Sequence, residues 1–101
     1  KMTHYFVTEE NIEDVKANMV AMDQKADLEV GCETWSITYA GGQVGEITVW
    51  PKHNRAAVFF GADSEWGDWD AEARTITMED GTVLDEYGDH VVEDEGSGED
   101  E

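Results

Sequence analysis

Ala56-Ala-Val-Phe-Phe60 is a run of five consecutive apolar residues that shows no alternation with polar ones. A short apolar run of this kind predicts a central β-strand that is covered on both faces. The segment Pro51-Lys-His-Asn-Arg55 precedes it and is typical of a turn. The rest of the chain must therefore supply neighbouring strands and a helix that covers the sheet.

Hairpins are predicted on both sides of this central strand. On the N-terminal side, Gly41-Gly42 separates two apolar runs, and on the C-terminal side two short runs flank Asp80-Gly81, which is a strong turn signal. The predicted strands outside the central one are 4–7, 34–39, 44–50, 74–78 and 82–87. Their order along the chain favours a mostly antiparallel, meandering sheet.

One amphipathic helix is predicted over residues 9–26. Thr8 is a suitable N-cap, and acidic residues follow it where the helix dipole favours them. Apolar side chains recur at steps of three and four residues, at Ile12, Val15, Met19, Met22 and Ala26. Methionines on such a stripe belong to a core more often than to an adaptable binding groove. The predicted fold class is α+β, with this helix packed on the sheet.

The charge is large and unevenly distributed. The chain has 25 Asp and Glu against 6 Lys and Arg, which gives a formal net charge of −19. Residues 63–101 contain 16 of the carboxylates and a single cation, Arg74. This excess of negative charge opposes direct binding to naked nucleic acid or to an anionic membrane.

A single domain over residues 1–92 and a disordered acidic tail over 93–101 are predicted, because the last residues combine many carboxylates with no apolar side chain. No apolar run is long enough to span a membrane, and the first residues lack a signal-peptide pattern, so a cytoplasmic protein is expected. The lone Cys32 cannot form an internal disulfide, which agrees with a reducing compartment.

Catalytic and metal-binding patterns are lacking in the sequence. The three histidines, His4, His53 and His90, lie in unrelated segments without metal-ligand spacing. No serine lies in a GxSxG context. The five carboxylates of residues 63–72 could supply oxygen ligands to a hard cation, but their spacing departs from the EF-hand pattern. The sequence therefore predicts a protein that is not an enzyme and that holds no metal or cofactor.

The candidate partner-binding residues combine carboxylates with two tryptophans. Residues 63–72 are predicted to form a loop, in which Trp66 and Trp69 either anchor the loop to the core or act as interface anchors. Carboxylates about 6.6 Å apart on a strand, or about 5–6 Å apart on a helix, come near the spacing of DNA phosphates, which is about 7 Å along each strand. The candidates are Asp63, Glu65, Trp66, Asp68, Trp69, Asp70 and Glu72 in the loop; Asp85, Glu86 and Asp89 after the last strand; and Glu9, Glu10, Glu13 and Asp14 on the helix.

With its small size, its charge of −19, its aromatic residues set among carboxylates and its ending EDEGSGEDE, the chain resembles the small phage-encoded DNA-mimic proteins. The resemblance is to the class as a whole and rests on no diagnostic motif. It implies that the partner is a positively charged nucleic-acid-binding protein of the host, in restriction, CRISPR, recombination or transcription machinery. It also implies a host-cell cytoplasmic location. Mimicry of a longer stretch of duplex would need a homodimer.

Two alternatives from other classes stay open. The chain could be an acidic binding module or chaperone for a basic protein, without mimicry of DNA. It could also be a small protein of a salt-loving organism, whose acidic surface holds water and counter-ions in molar salt. Competition with duplex DNA separates the first alternative from a DNA mimic, and a requirement for molar salt in folding identifies the second.

Overall fold

Seven antiparallel strands, paired in sequence order, form one sheet in the described part of the computed structural model. The structure describes residues 4–21, 27–39, 42–60 and 63–91. The strands are β1 (His4–Phe6), β2 (Glu33–Tyr39), β3 (Gln43–Trp50), β4 (Arg55–Phe60), β5 (Asp63–Asp70), β6 (Thr75–Met78) and β7 (Val83–Asp85), and the helix α1 is Ile12–Ala21. The predicted antiparallel meander is confirmed, and the described fold is mostly β-sheet with one short helix.

The prediction for the central strand is confirmed. β4 lies between β3 and β5, and four consecutive residues of it, from Ala56 to Phe59, are buried. Ala56 and Val58 belong to one hydrophobic cluster, while Ala57 and Phe59 belong to another. Successive side chains of a strand point to opposite faces, so both faces of the sheet are covered at β4.

The sheet curls into a half-barrel. The rings of Trp35 on β2 and Trp69 on β5 lie 6.1 Å apart between centroids, although β3 and β4 separate the two strands. In a flat sheet, strands three places apart would be separated by about 14 Å. The inner face of the half-barrel is therefore the side that carries Trp35, Ile37, Ile47, Val49, Ala56, Val58, Trp69, Ile76, Met78 and Leu84.

The outer face carries a second cluster, to which the helix contributes. This cluster contains Val7, Val15, Leu28, Cys32, Trp50, Ala57 and Phe59. Val15 of α1 is buried in it, and Ile12 packs against it. The helix begins at Ile12 rather than at residue 9, and Thr8 and Asn11 exchange two hydrogen bonds in the turn before it, in the reciprocal pattern of a capping box. The backbone N–H of Thr8 donates to Asn11 Oδ1 at 2.8 Å, and that of Asn11 donates to Thr8 Oγ1 at 3.3 Å.

The remainder of the helix prediction falls on residues that the structure leaves undescribed. Met22 and Ala26, the last two members of the predicted apolar stripe, lie in the undescribed segment 22–26. The described part of α1 ends at Ala21. Glu9 and Glu10 lie in the turn before the helix, whereas Glu13 and Asp14 lie in its first turn.

The prediction of a loop over residues 63–72 is wrong, because most of this segment is strand β5. β5 pairs with β4 from Arg55↔Asp68 to Phe60↔Asp63, and with β6 from Gly67↔Met78 to Asp70↔Thr75. Gly67 is one reason why the sequence of this segment predicts a loop. A Cβ atom at this position would lie 2.6 Å from the Thr77 carbonyl oxygen and 2.7 Å from Ile76 Cγ2, so only glycine fits where β5 and β6 approach so closely.

The C-terminal hairpin is confirmed, with strands shorter than predicted. β6 and β7 flank the turn that contains Gly81, which has a φ of +91°. After β7 the chain turns back along it: the backbone N–H of Asp85 donates to the Asp89 carbonyl at 2.8 Å, and that of Val91 donates to the Val83 carbonyl at 2.8 Å. The predicted tail, residues 93–101, lies outside the described residues.

Candidate functional site

The candidate residues lie on several surfaces of the fold. Alternation along β5 divides them: Asp63 and Glu65 share the inner side with Trp69, whereas Asp68 and Asp70 share the outer side with Trp66. The four candidates near the helix lie before α1 or in its first turn. The structure therefore does not bring the predicted set together into one continuous site.

An outer acidic strip, defined as Asp68, Asp70 and Asp85, is one group that the sheet does bring together. Asp68 and Asp70 are exposed and alternate on the outer side of β5, about 6.6 Å apart along the strand. Asp70 pairs in register with Thr75, and Thr75 pairs with Asp85. Two strand spacings place Asp85 about 10 Å from Asp70 across the sheet.

Two of the strip's carboxylates also hold turns. Asp70 Oδ1 accepts hydrogen bonds from the backbone N–H groups of Glu72 at 3.0 Å and Ala73 at 3.1 Å. Asp85 Oδ1 accepts from those of Tyr87 at 2.9 Å and Asp89 at 3.0 Å. These bonds are the Asx-turn contacts that make aspartate common where a chain reverses. Asp70 and Asp85 thus have a structural role besides any role in recognition.

Arg74, the one cation of residues 63–101, is held by contacts within the fold. Its Nη2 donates to Glu33 Oε2 at 3.0 Å, and its Nε donates to Glu86 Oε1 at 2.9 Å. The guanidinium also lies over the rings of Trp35 and Trp69, with its Cζ at 5.4 and 5.2 Å from their centroids. The candidate Glu86 is therefore engaged in an internal ion pair.

The two tryptophans of β5 have different environments. Trp69 is only 5 % exposed and belongs to the inner core, which supports its interpretation as a core anchor. Trp66 is half-buried on the outer side, stacks on Trp50 at 5.0 Å between ring centroids, and lies beneath Arg55 at 5.6 Å. Of the two, Trp66 is the more exposed.

An open cavity of about 380 Å³ lies at the end of the half-barrel formed by the β6–β7 turn. Its apolar lining comes from Ile37, Phe60, Met78 and Leu84, and its carboxylates come from Glu65, Asp80 and Asp89. A second cavity of about 350 Å³ shares Glu65, Met78 and Asp80 and adds Ser64, Trp66 and Glu79. The two adjoining cavities thus place the candidates Glu65 and Asp89 near Asp80 and Glu79.

The sequence interpretation of Asp80-Gly81 as a turn leaves Asp80 and Glu79 out of the predicted site residues. That interpretation is also true: Asp80 Oδ1 accepts from the backbone N–H of Thr82 at 2.9 Å. Hydrogen bonding to Thr82 lowers the pKa of the Asp80 carboxyl, which keeps it ionised. Strand alternation in β5 would have placed Glu65 on the inner side, but nothing local in the sequence places Asp80 beside it.

Glu46 is a buried carboxylate that sequence analysis also missed. It is 5 % exposed on the outer side of β3, where Thr34 Oγ1 lies 3.2 Å from its Oε2 and 3.0 Å from Thr48 Oγ1. Its Oε1 is buried and has no hydrogen-bond partner among the described residues. Burial raises the pKa of the Glu46 carboxyl, a shift that the hydrogen bond to Thr34 partly offsets. Alternation with Ile47 and Val49 would have suggested an exposed position.

We expect Glu46→Gln to raise the free energy of unfolding at pH 7 by about 1–3 kcal/mol, because it removes a carboxylate that loses its hydration on folding. A carboxyl with a raised folded-state pKa stabilises fully below its unfolded pKa, and this stability is lost as the pH rises through the folded pKa. The gain should therefore be large at pH 7 and small at pH 4. Urea unfolding at both pH values measures it, with the exposed Glu13→Gln as control. An equal gain at both pH values contradicts the assignment.

Comparison with protein-family models, curated proteins and solved structures gave no match to this chain. Among the described residues, no group of three or more His, Cys, Asp and Glu side chains is arranged to hold a metal ion. In the same part of the chain, no helix has the length and apolarity needed to cross a bilayer.

Proposed function

We propose that this chain is a DNA-mimic inhibitor, which occupies the positively charged nucleic-acid-binding surface of a host protein involved in defence, transcription or recombination. It acts without catalysis and in the host cytoplasm. The carboxylates take the place of phosphates on the partner's basic surface, and DNA is excluded because the two ligands compete for the same cations. A homodimer would extend the mimicked stretch.

The ion pairs that Arg74 makes within the fold carry this proposal. Glu33 and Glu86 neutralise the only cation of residues 63–101 within the fold. Apart from Arg74, no lysine or arginine lies between the carboxylates of β5 to β7, and the nearest other cation is Arg55 of β4, which pairs in register with Asp68. Closely spaced like charges repel one another and cost stability, so their concentration favours a role in binding a cationic surface.

The spacing within the outer acidic strip supports the same proposal. Asp68 and Asp70 are separated by about 6.6 Å along β5, close to the phosphate repeat of about 7 Å. The strip also lies beside the half-buried ring of Trp66, and a tryptophan rimmed by charge is the usual composition of an interface hot spot.

Release by DNA tests the proposal directly. Bacterial proteins that bind immobilised duplex DNA are passed over the immobilised chain. The proteins that it retains are then challenged with increasing amounts of duplex DNA or of polyglutamate, and the two competitors are compared by their concentration of negative charge. We expect duplex DNA to release the retained protein at lower charge concentration than polyglutamate does. Retention that only salt reverses contradicts mimicry and favours an acidic module for a basic partner. Folding that requires molar KCl favours halophilic adaptation.

Neutralising two residues of the strip together with Glu72 should weaken binding to the captured protein about tenfold or more, because each charge lost leaves a partner cation unpaired. The variant is Asp68→Asn, Asp70→Asn and Glu72→Gln. The asparagine that replaces Asp70 keeps the acceptor oxygen that holds the turn at Glu72 and Ala73, so stability should be equal or slightly higher. Affinity at several salt concentrations and the melting temperature are the measurements.

The matched control removes three charges near the helix, by Glu9→Gln, Glu10→Gln and Glu13→Gln. Its affinity should fall much less than that of the strip variant. A larger loss in this control would place the contact at the start of α1 instead.

A further inference from the structure

The cavity at the β6–β7 end of the half-barrel combines an apolar floor with a charged rim. Ile37, Phe60 and Leu84 come from three different strands and line its floor. The opposite end of the half-barrel is occupied by Arg74 with its carboxylate partners, near the β5–β6 turn. The inner face is therefore filled at one end and accessible at the other.

The rim carboxylates are available to a ligand. Glu65 and Asp89 are exposed, and their side chains make no hydrogen bond or ion pair within the described part of the chain. Asp80 completes the rim and is ionised, because its hydrogen bonds to Thr82 favour the charged form. Three acidic side chains thus surround the mouth of an apolar cavity.

A ligand that fits must be apolar along its length and cationic at its end. The rim repels anions and leaves a neutral apolar ligand without a charge partner. The described carboxylates are not arranged to share one metal ion, which disfavours a bare hard cation. An organic cation with several donors can instead reach separate carboxylates at once.

Arginine has these properties among protein side chains. Its methylene stem packs against apolar surface while its planar guanidinium offers five donors to carboxylates. A volume of about 380 Å³ lies at the small end of the range for ligand pockets, which suits one long side chain. The guanidinium is also less strongly hydrated than an ammonium, so it enters a partly desolvated mouth more readily than lysine does.

We propose that this cavity receives an arginine side chain of a basic protein partner. The choice of a protein as the source rests on the proposed function, because the DNA-binding surface of such a partner is rich in arginine. The cavity then gives the complex a contact that DNA cannot make, since the phosphates of DNA offer no apolar pocket to an arginine side chain. Affinity for the partner would depend less steeply on salt than a purely ionic array predicts.

A free probe tests the cavity without any partner. N-acetyl-arginine amide is titrated into the full chain, and the shifts of backbone amides beside the cavity are followed by NMR. We expect saturable shifts at Thr82 and Gly88 with a dissociation constant of about 1 mM. The citrulline analogue, which replaces the guanidinium by a neutral urea of the same shape, should bind at least about fivefold more weakly.

Two charge-matched variants separate the cavity from general attraction. Glu65→Gln with Asp89→Asn should weaken arginine binding about fivefold or more, whereas Glu13→Gln with Asp14→Asn on α1 should change it less than about twofold. Glu65→Gln alone serves if the double variant unfolds. Equal binding of citrulline, equal losses in the two variants, or shifts that never saturate would each overturn the proposal.

The test of the cavity and the test of the proposed function can fail independently of each other. If duplex DNA releases the captured partner but the arginine probe fails to bind, the cavity proposal fails and DNA mimicry stands. If the probe binds in the cavity but duplex DNA releases nothing, mimicry fails and the cavity stands as the recognition site of an acidic binding module.

Discussion

Replacing Trp69 by alanine is expected to lower the free energy of unfolding by about 3–5 kcal/mol, the usual cost of truncating a large aromatic residue in a core. Trp69 is 5 % exposed, and its ring contacts both Trp35, at 6.1 Å between centroids, and the guanidinium of Arg74, at 5.2 Å. Alanine would leave a cavity in the inner core and remove one of the two rings on which Arg74 rests. The melting temperature should fall by more than about 10 °C.

Trp66→Ala is the matched control, on the same strand but on the other side of the sheet. Trp66 is half-buried and stacks on Trp50, so its loss should cost only about 1 kcal/mol. Urea unfolding measures both variants, and Trp69→Phe, which keeps a ring, provides an intermediate if the alanine variant fails to fold. A smaller loss for Trp69→Ala than for Trp66→Ala would contradict the assignment of Trp69 to the core.

Local sequence patterns predicted most strands of this fold but not β5. Alternation and turn residues are encoded by neighbours in sequence, which is why the β2–β3 hairpin, β4 and the β6–β7 hairpin were predicted. In β5, aspartate, serine, glutamate and Gly67 are all uncommon in strands, and they suggested a loop. Pairing with β4 and β6 on both sides overrides those preferences.

The grouping of the candidate residues could not be predicted because it depends on how the sheet curls. Trp35 Nε1 donates to the Glu86 carbonyl at 2.6 Å, across 51 positions of sequence. A Cβ atom at Gly88 would lie 2.7 Å from Ile37 Cδ1, so the segment after β7 also approaches β2. Contacts at this separation leave no periodic pattern, although they decide which carboxylates surround the cavity.

Arg74→Ala should destabilise the fold by about 3 kcal/mol, the low end of the cost of removing one partner of a buried ion pair, since Arg74 is partly exposed. Glu33 is only 7 % exposed, and the substitution would leave it with His4, at 2.6 Å, as its remaining side-chain partner. The pairing joins β2 to the β5–β6 turn, so its loss also removes a bond that holds the half-barrel curled.

A second substitution shows whether the Glu33 carboxylate, left without its arginine, causes this loss of stability. Glu33→Gln in the Arg74→Ala background removes a buried carboxylate that has lost its arginine partner and should restore at least about 1 kcal/mol, whereas Glu33→Gln alone should destabilise because it breaks the pair with Arg74. Urea unfolding of the four proteins completes the double-mutant cycle. Losses that simply add would mean that Arg74 stabilises through Trp35, Trp69 and Glu86 and not through Glu33. A positive coupling energy between the two substitutions would mean that Arg74 contributes to stability through its ion pair with Glu33, which holds the half-barrel closed.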